Sequence, residues 1–220
     1  MNLRPGGARL LLALLALTAL SPTPHFAASL NFKAATFFAS DGRTADAEVA
    51  TFGVPENRTE DGRQVRQIKL EVWRFAATGD STAPPIVILD GGPGGAAIEA
   101  TRGAYFDIVQ RLRAFGDVIV ADQRGTGVSS PALGCKQAAN LAGAELLTIE
   151  NWLAAIATPA TKCAKGWRKK DIDLDAYSSA ESAADIDAIR DALGVQQVTL
   201  WGVSYGTQLA LTIWSSSPIE

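Results

Sequence analysis

Apolar positions along this chain follow two patterns. Residues 48–54 alternate apolar and polar and run into Pro55, which predicts a first strand. Residues 67–75 alternate again, with Ile68, Leu70 and Val72 on one face. The polar stretch between them carries the turn signal Asp61-Gly62, so the two strands are expected to form an antiparallel hairpin. Beyond it the alternation gives way to continuous apolar runs at residues 85–89, 118–121 and 198–201. Such runs suit strands covered on both faces. Between the first two, Tyr105, Ile108, Val109 and Leu112 recur at helical spacing, and Gly116 stops that helix. After the third, Leu209, Leu211 and Ile213 mark another helical stretch. Strand, helix and strand repeating in this way predict a mostly parallel α/β sheet preceded by a hairpin. Residues 31–38 are too weakly patterned to assign.

The stretch from 132 to 177 is mixed and alanine-rich, and short helices are expected there. Ser178 or Ser179 can cap the next helix, with Glu181 completing a capping box from Ser178. Ile186, Ile189 and Leu193 form its buried stripe, while Asp185, Asp187, Arg190 and Asp191 are expected to face solvent. Gly194 ends it.

Composition sharpens this picture modestly. The 220 residues are 47% apolar and 20% charged, with net charge −3, enough for one α/β domain and without the basic excess that nucleic-acid binding needs. Residues 1–28 have a different character. Arg4 and Arg9 precede an apolar block at 10–20, followed by small residues and Ser-Pro-Thr-Pro. That is the layout of a secretory signal, so export to the periplasm or medium is expected, with residues 29–220 as the domain. The apolar block is too short to span a bilayer, and no stable membrane anchor is expected. Cys135 and Cys163 are the two cysteines, and an even count in an exported chain favours one disulfide over two separately buried thiols. Two cysteines and the single His25 at unrelated spacings do not make a metal site. Asn57-Arg58-Thr59 fits the N-glycosylation pattern.

The chemistry lies where the runs end. The strand at 198–201 enters Gly202-Val203-Ser204-Tyr205-Gly206 and then a helix, the strand–turn–helix context of a nucleophile elbow. A serine there needs a strained turn, and glycines on either side leave room for the neighbouring strand and helix. The run at 85–89 ends in Asp90-Gly91-Gly92-Pro93-Gly94-Gly95, and the run at 118–121 in Asp122-Gln123-Arg124-Gly125-Thr126-Gly127. In an open parallel sheet, strand ends of this kind bind ligands. The N–H groups of Gly92 and Tyr205 are the first choice for an oxyanion hole, with Gly91 close behind. A dinucleotide site is the competing reading of the glycines, but the last glycine of G-x-G-x-x-G is missing and Pro93 removes an amide. No cofactor is called for.

Gly-Gly-Pro-Gly-Gly, then Asp-Gln-Arg-Gly-Thr-Gly-x-Ser, then Gly-x-Ser-Tyr-Gly-Thr, in this order, resemble α/β-hydrolases of the proline iminopeptidase and tripeptidyl aminopeptidase branch, the exported tripeptidyl-aminopeptidase-like group most of all. The resemblance covers about residues 48–215. It implies an α/β-hydrolase fold with Ser204 as nucleophile and with Tyr205 and the Gly91–Gly92 pair around the oxyanion. It further implies residues 122–127, with Asp122, Arg124 and Gly125, as a loop shaping the site floor, and Cys135 and Cys163 as a cystine. The implied activity is a serine hydrolase releasing residues or short peptides from substrate N-termini through an acyl-enzyme. A carboxylic-ester hydrolase and a non-catalytic homologue are the alternatives. Two departures stand out. Many iminopeptidases have His before the two glycines, and here it is Asp90. The family's triad runs Ser, then acid, then His. No His follows Ser204, and Glu220 is the sole acid after it. The resemblance therefore implies a fold cut off after the elbow helix, with the acid, the His and a cap encoded downstream. These 220 residues alone are expected to be inactive and poorly soluble, with an unpaired apolar strand edge beside Val198, Leu200 and Trp201.

Overall fold

A computed structural model describes residues 30–59, 66–135 and 148–216; the stretch read as an export signal lies outside them. Among the described residues six strands form one sheet: β1 (Lys33–Phe38), β2 (Thr44–Pro55), β3 (Gln67–Phe75), β4 (Ile86–Leu89), β5 (Val118–Ala121) and β6 (Thr199–Gly202). Their spatial order is β1-β2-β3-β5-β4-β6. β4 pairs in parallel with β5 and with β6, while β1–β2, β2–β3 and β3–β5 are antiparallel. It follows that β2, β4, β5 and β6 all point the same way. Their carboxyl ends share one edge of the sheet, where the glycine-rich loops emerge.

Both faces of the sheet are covered, as the continuous apolar runs require. On one face Ile68, Leu70, Val72, Val87, Leu89 and Ile119 pack with Ile186 and Ile189 of α4 (Ser179–Ala192) and Leu209 and Ile213 of α5 (Tyr205–Ser216). On the other, Trp73, Phe75, Ile86, Ile88, Val118 and Val120 meet Ala97 and Ile98 of α1 (Ala97–Arg102) and Phe106 and Val109 of α2 (Phe106–Leu112). The connection from β4 to β5 thus holds two helices, where the spacing of Tyr105, Ile108, Val109 and Leu112 had announced one. They meet at Gly103, whose φ and ψ are both −108°.

The sequence reading needs correction in three further places. Residues 33–38 form β1, paired with Thr44–Val49, so β2 starts four residues before the first strand expected at 48. β1 is an edge strand with only Phe37 fully buried, too little for an alternating pattern. In the stretch expected to hold short helices, residues 136–147 lie outside the described ones, and the rest contains one short 3₁₀ helix at Leu174–Ala176 and a longer helix than expected, α3 (Ile149–Arg168), 20 residues long with Pro159 inside it. Thr148 caps it by accepting from the Asn151 N–H. At the start of α4, Ser178 accepts from the Glu181 N–H, but the Glu181 carboxylate does not return to complete a box; it binds the Arg58 backbone and guanidinium.

Cys135 and Cys163 are bonded to each other, which ties the loop after β5 to α3. The two cysteines are 28 residues apart. Replacing both with Ser is expected to lower the unfolding free energy by about 3–4 kcal/mol on the chain-entropy account, measured by urea titration against the parent. Asn57 of the glycosylation pattern is held within the fold: its Nδ2 donates to Asp173 at 2.6 Å and its Oδ1 accepts from the Thr59 N–H and hydroxyl. Among the described residues β6 pairs with β4 alone, so its outer edge carries no strand. On α5, Leu211 and Trp214 are 64% and 61% exposed.

Candidate active site

The sharp turn after β6 is built by interlocking backbone. Val203 N–H donates to Leu89 O at 3.1 Å, which holds the turn against the end of β4. Ser204 follows at φ 52°, a left-handed conformation that costs a non-glycine residue about 1–3 kcal/mol. α5 starts at the next residue. A Cβ at Gly206 would lie 2.1 Å from Leu89 O, and one at Gly202 would lie 2.6 Å from Gly206 O. Both glycines are therefore obligatory, because strand, turn and helix approach to backbone contact. Ser204 itself is exposed.

The glycine loop after β4 lies directly against this serine. A Cβ on Gly91 would sit 2.9 Å from Ser204 Cβ and 3.5 Å from its Oγ. Gly92, at φ 113°, turns instead onto its own loop, where a Cβ would be 2.8 Å from Gly94 N. Gly95 N–H closes the loop on Gly91 O at 3.0 Å. Of the three residues considered for an oxyanion hole, Gly91 is the glycine that packs against Ser204. The N–H groups of Gly91, Gly92 and Tyr205 donate to no protein acceptor among the described residues. The Tyr205 side chain is anchored away from the turn, its hydroxyl 2.6 Å from Ser179 Oγ at the start of α4.

Residues 122–127, expected to shape the site floor, are tied into the framework by buried polar contacts. Asp122 is buried, and its two carboxylate oxygens each accept at 2.9 Å, from Ile98 N–H of α1 and from Val128 N–H. Burial pushes the Asp122 carboxyl above the usual range, partly offset by those two hydrogen bonds. Gly125, at φ 76°, leaves room for the Tyr177 ring, which a Cβ would meet at 2.9 Å. Arg124 points to α4, where Nε and Nη2 grip the two oxygens of Asp185 at 2.7 Å each. Asp185, expected to face solvent, is 2% exposed. It stands in one stripe with the buried Ser182, Ile186 and Ile189, at i, i+3, i+4 and i+7. Asp122, Arg124 and Gly125 thus brace the framework under the site. The member that reaches the glycine loop is Gln123, whose Nε2 donates to Asp90 O at 3.2 Å. Its motif flagged the segment, but nothing in the sequence singled out that side chain.

What the arrangement offers is an exposed serine in a left-handed conformation between β6 and α5, with the Gly91 backbone packed against it. A family model described as the alpha/beta hydrolase fold matches residues 84–218. The chain is 32% identical over 148 residues to the serine protease Hip1 of Mycobacterium tuberculosis, covering 64% of this chain and 28% of that protein. It is 26% identical over 140 residues to a protein named Probable proline iminopeptidase from Streptomyces coelicolor, covering 64% and 31%. Among solved structures it matches the proline iminopeptidase-related protein of Thermus thermophilus at 19% identity and a TM-score of 0.42, over 76% of this chain and 40% of that one. The chain spans about three tenths of the length of these two curated relatives.

Proposed function

The chain belongs to the alpha/beta hydrolase fold family, and from that premise we propose that it carries the nucleophile half of an exported serine aminopeptidase. The observation that supports this most is Ser204 at φ 52° with Gly91 packed against it. In the proposed reaction Ser204 Oγ attacks the carbonyl carbon of the bond to be cleaved. The oxyanion that forms is held by the N–H groups of Tyr205 and of Gly91 or Gly92. The positive end of α5 adds to that stabilisation. The C–N bond then breaks, the amine leaves with a proton, and water releases the acyl group from Ser204.

The hydroxyl needs a general base to be nucleophilic at neutral pH. No His follows Ser204 in these residues, so the reading requires a general base and its acidic partner from outside them. The short share of the curated relatives spanned here agrees with this. The Cys135–Cys163 disulfide supports an oxidising compartment.

The discriminating experiment uses protein expressed from the complete gene. Peptide p-nitroanilides with a free N-terminus are expected to be cleaved, and the same peptides acetylated at the N-terminus are expected to resist. Faster turnover of simple p-nitrophenyl esters, with no cleavage of either peptide, would assign an esterase instead.

A further inference from the structure

The glycine loop does not hold its place beside Ser204 by its own hydrogen bonds alone. Asp90, at its root, is gripped at both ends. Its carboxylate Oδ1 accepts from the Tyr105 hydroxyl at 2.8 Å, and its carbonyl accepts from Gln123 Nε2. The other carboxylate oxygen fills the inside of the loop, 2.3 Å from where a Cβ on Gly95 would be. Tyr105 in turn stacks edge-on against Trp201 of β6, with ring centroids 5.4 Å apart. Trp201 is three residues before Ser204. One tyrosine therefore touches both the root of the loop and the strand that delivers the serine. Burial and then the Asp90 carboxylate push the Tyr105 hydroxyl up to about 12, so it stays a proton donor at any working pH.

We propose that Asp90 and Tyr105 are positioning residues that set the spacing between the Gly91–Gly92 amides and Ser204, and so tune the oxyanion hole without touching substrate. The assignment of a catalytic consequence rests on the reading of Ser204 as nucleophile; the mechanical part does not. An oxyanion donor is effective only within a narrow distance of the developing charge, so a loop free to drift loses rate while substrate binding is retained.

The test uses protein expressed from the complete gene, with Tyr105→Phe, Asp90→Ala and Asp90→Asn. Tyr105→Phe keeps the ring on Trp201 and removes only the hydroxyl. Hydrogen exchange is expected to speed up in peptides covering residues 90–95 by about tenfold, the size of one lost hydrogen bond. Peptides covering β6 and α5 should be unchanged. In the same samples, phosphonylation of Ser204 by a fluorophosphonate is expected to slow by about tenfold at saturating probe, with the half-saturating probe concentration unaltered. Asp90→Ala should reproduce both effects, and Asp90→Asn, which keeps an acceptor for Tyr105, should restore both. Unchanged exchange at 90–95 overturns the proposal. So does a loosened loop with an unchanged phosphonylation rate, or a melting-temperature loss as its sole consequence. A loosened loop in a protein whose parent never reacts at Ser204 supports the latch and instead overturns the hydrolase reading.

Discussion

Arg124→Met is expected to remove about 3–5 kcal/mol of stability, the range seen when one partner of a buried ion pair is deleted. The side chains of Arg124 and its partner Asp185 are 1% and 3% exposed. Besides Asp185, Arg124 donates to Glu56 O at 2.6 Å and to Ala176 O at 2.7 Å. One side chain thus fastens the end of β2, the loop before α4 and α4 itself to the loop after β5. Methionine matches the stem but leaves three carbonyls, those of Pro55, Glu56 and Ala176, without this donor. It also leaves Asp185 with Arg58, at 2.6 Å, as its remaining guanidinium partner. Because the penalty comes from a stranded charge, Arg124→Met combined with Asp185→Leu should recover part of the loss. Urea denaturation of the single and double variants reads both numbers. A loss below about 1 kcal/mol for Arg124→Met, the level of an exposed pair, would show that the network is incidental.

Ser204→Ala carries the largest expected effect on function. Removing the nucleophile of a serine hydrolase costs about 10⁴-fold or more in turnover, because the remaining oxyanion donors and binding contacts support only residual catalysis. Alanine keeps a Cβ at the strained position and deletes only the hydroxyl, so folding should be little changed. The left-handed φ of 52° is even less welcome to alanine than to serine, which sets the sign of any small stability difference. Hydrolysis by protein from the complete gene, with melting temperature as the control, separates the two effects. Turnover of Ser204→Ala within tenfold of the parent would remove Ser204 from the mechanism.

Sequence patterning was most informative where burial was complete. The runs at 85–89 and 118–121 became β4 and β5, buried throughout, because strands covered on both faces admit little but apolar residues; the run at 198–201 became β6, although none of its residues is fully buried. The elbow was legible for a sharper reason: Gly202 and Gly206 stand where backbones approach to within contact, and a side chain cannot be accommodated. The charge of Asp185 points outward in sequence, while its position on α4 points inward. Counting turns from Ile186 and Ile189 puts it in the buried stripe, but its partner Arg124 is 61 residues away and no local rule joins them. β1 was missed because an edge strand buries one large side chain, Phe37. Which glycine of the pair packs against Ser204 is not legible in sequence, since both suit a tight loop. Gln123 and Tyr105 were equally hidden, because a side chain that holds a loop in place leaves no pattern along the chain.

The measurement that bears most directly on this account is the mass-mapped site of a fluorophosphonate adduct on protein expressed from the complete gene. One adduct is expected, on the peptide that contains Ser204, and it should vanish in Ser204→Ala. An adduct on another residue, or a folded complete protein that hydrolyses substrate while Ser204 stays unmodified, would contradict the assignment of Ser204 as the nucleophile.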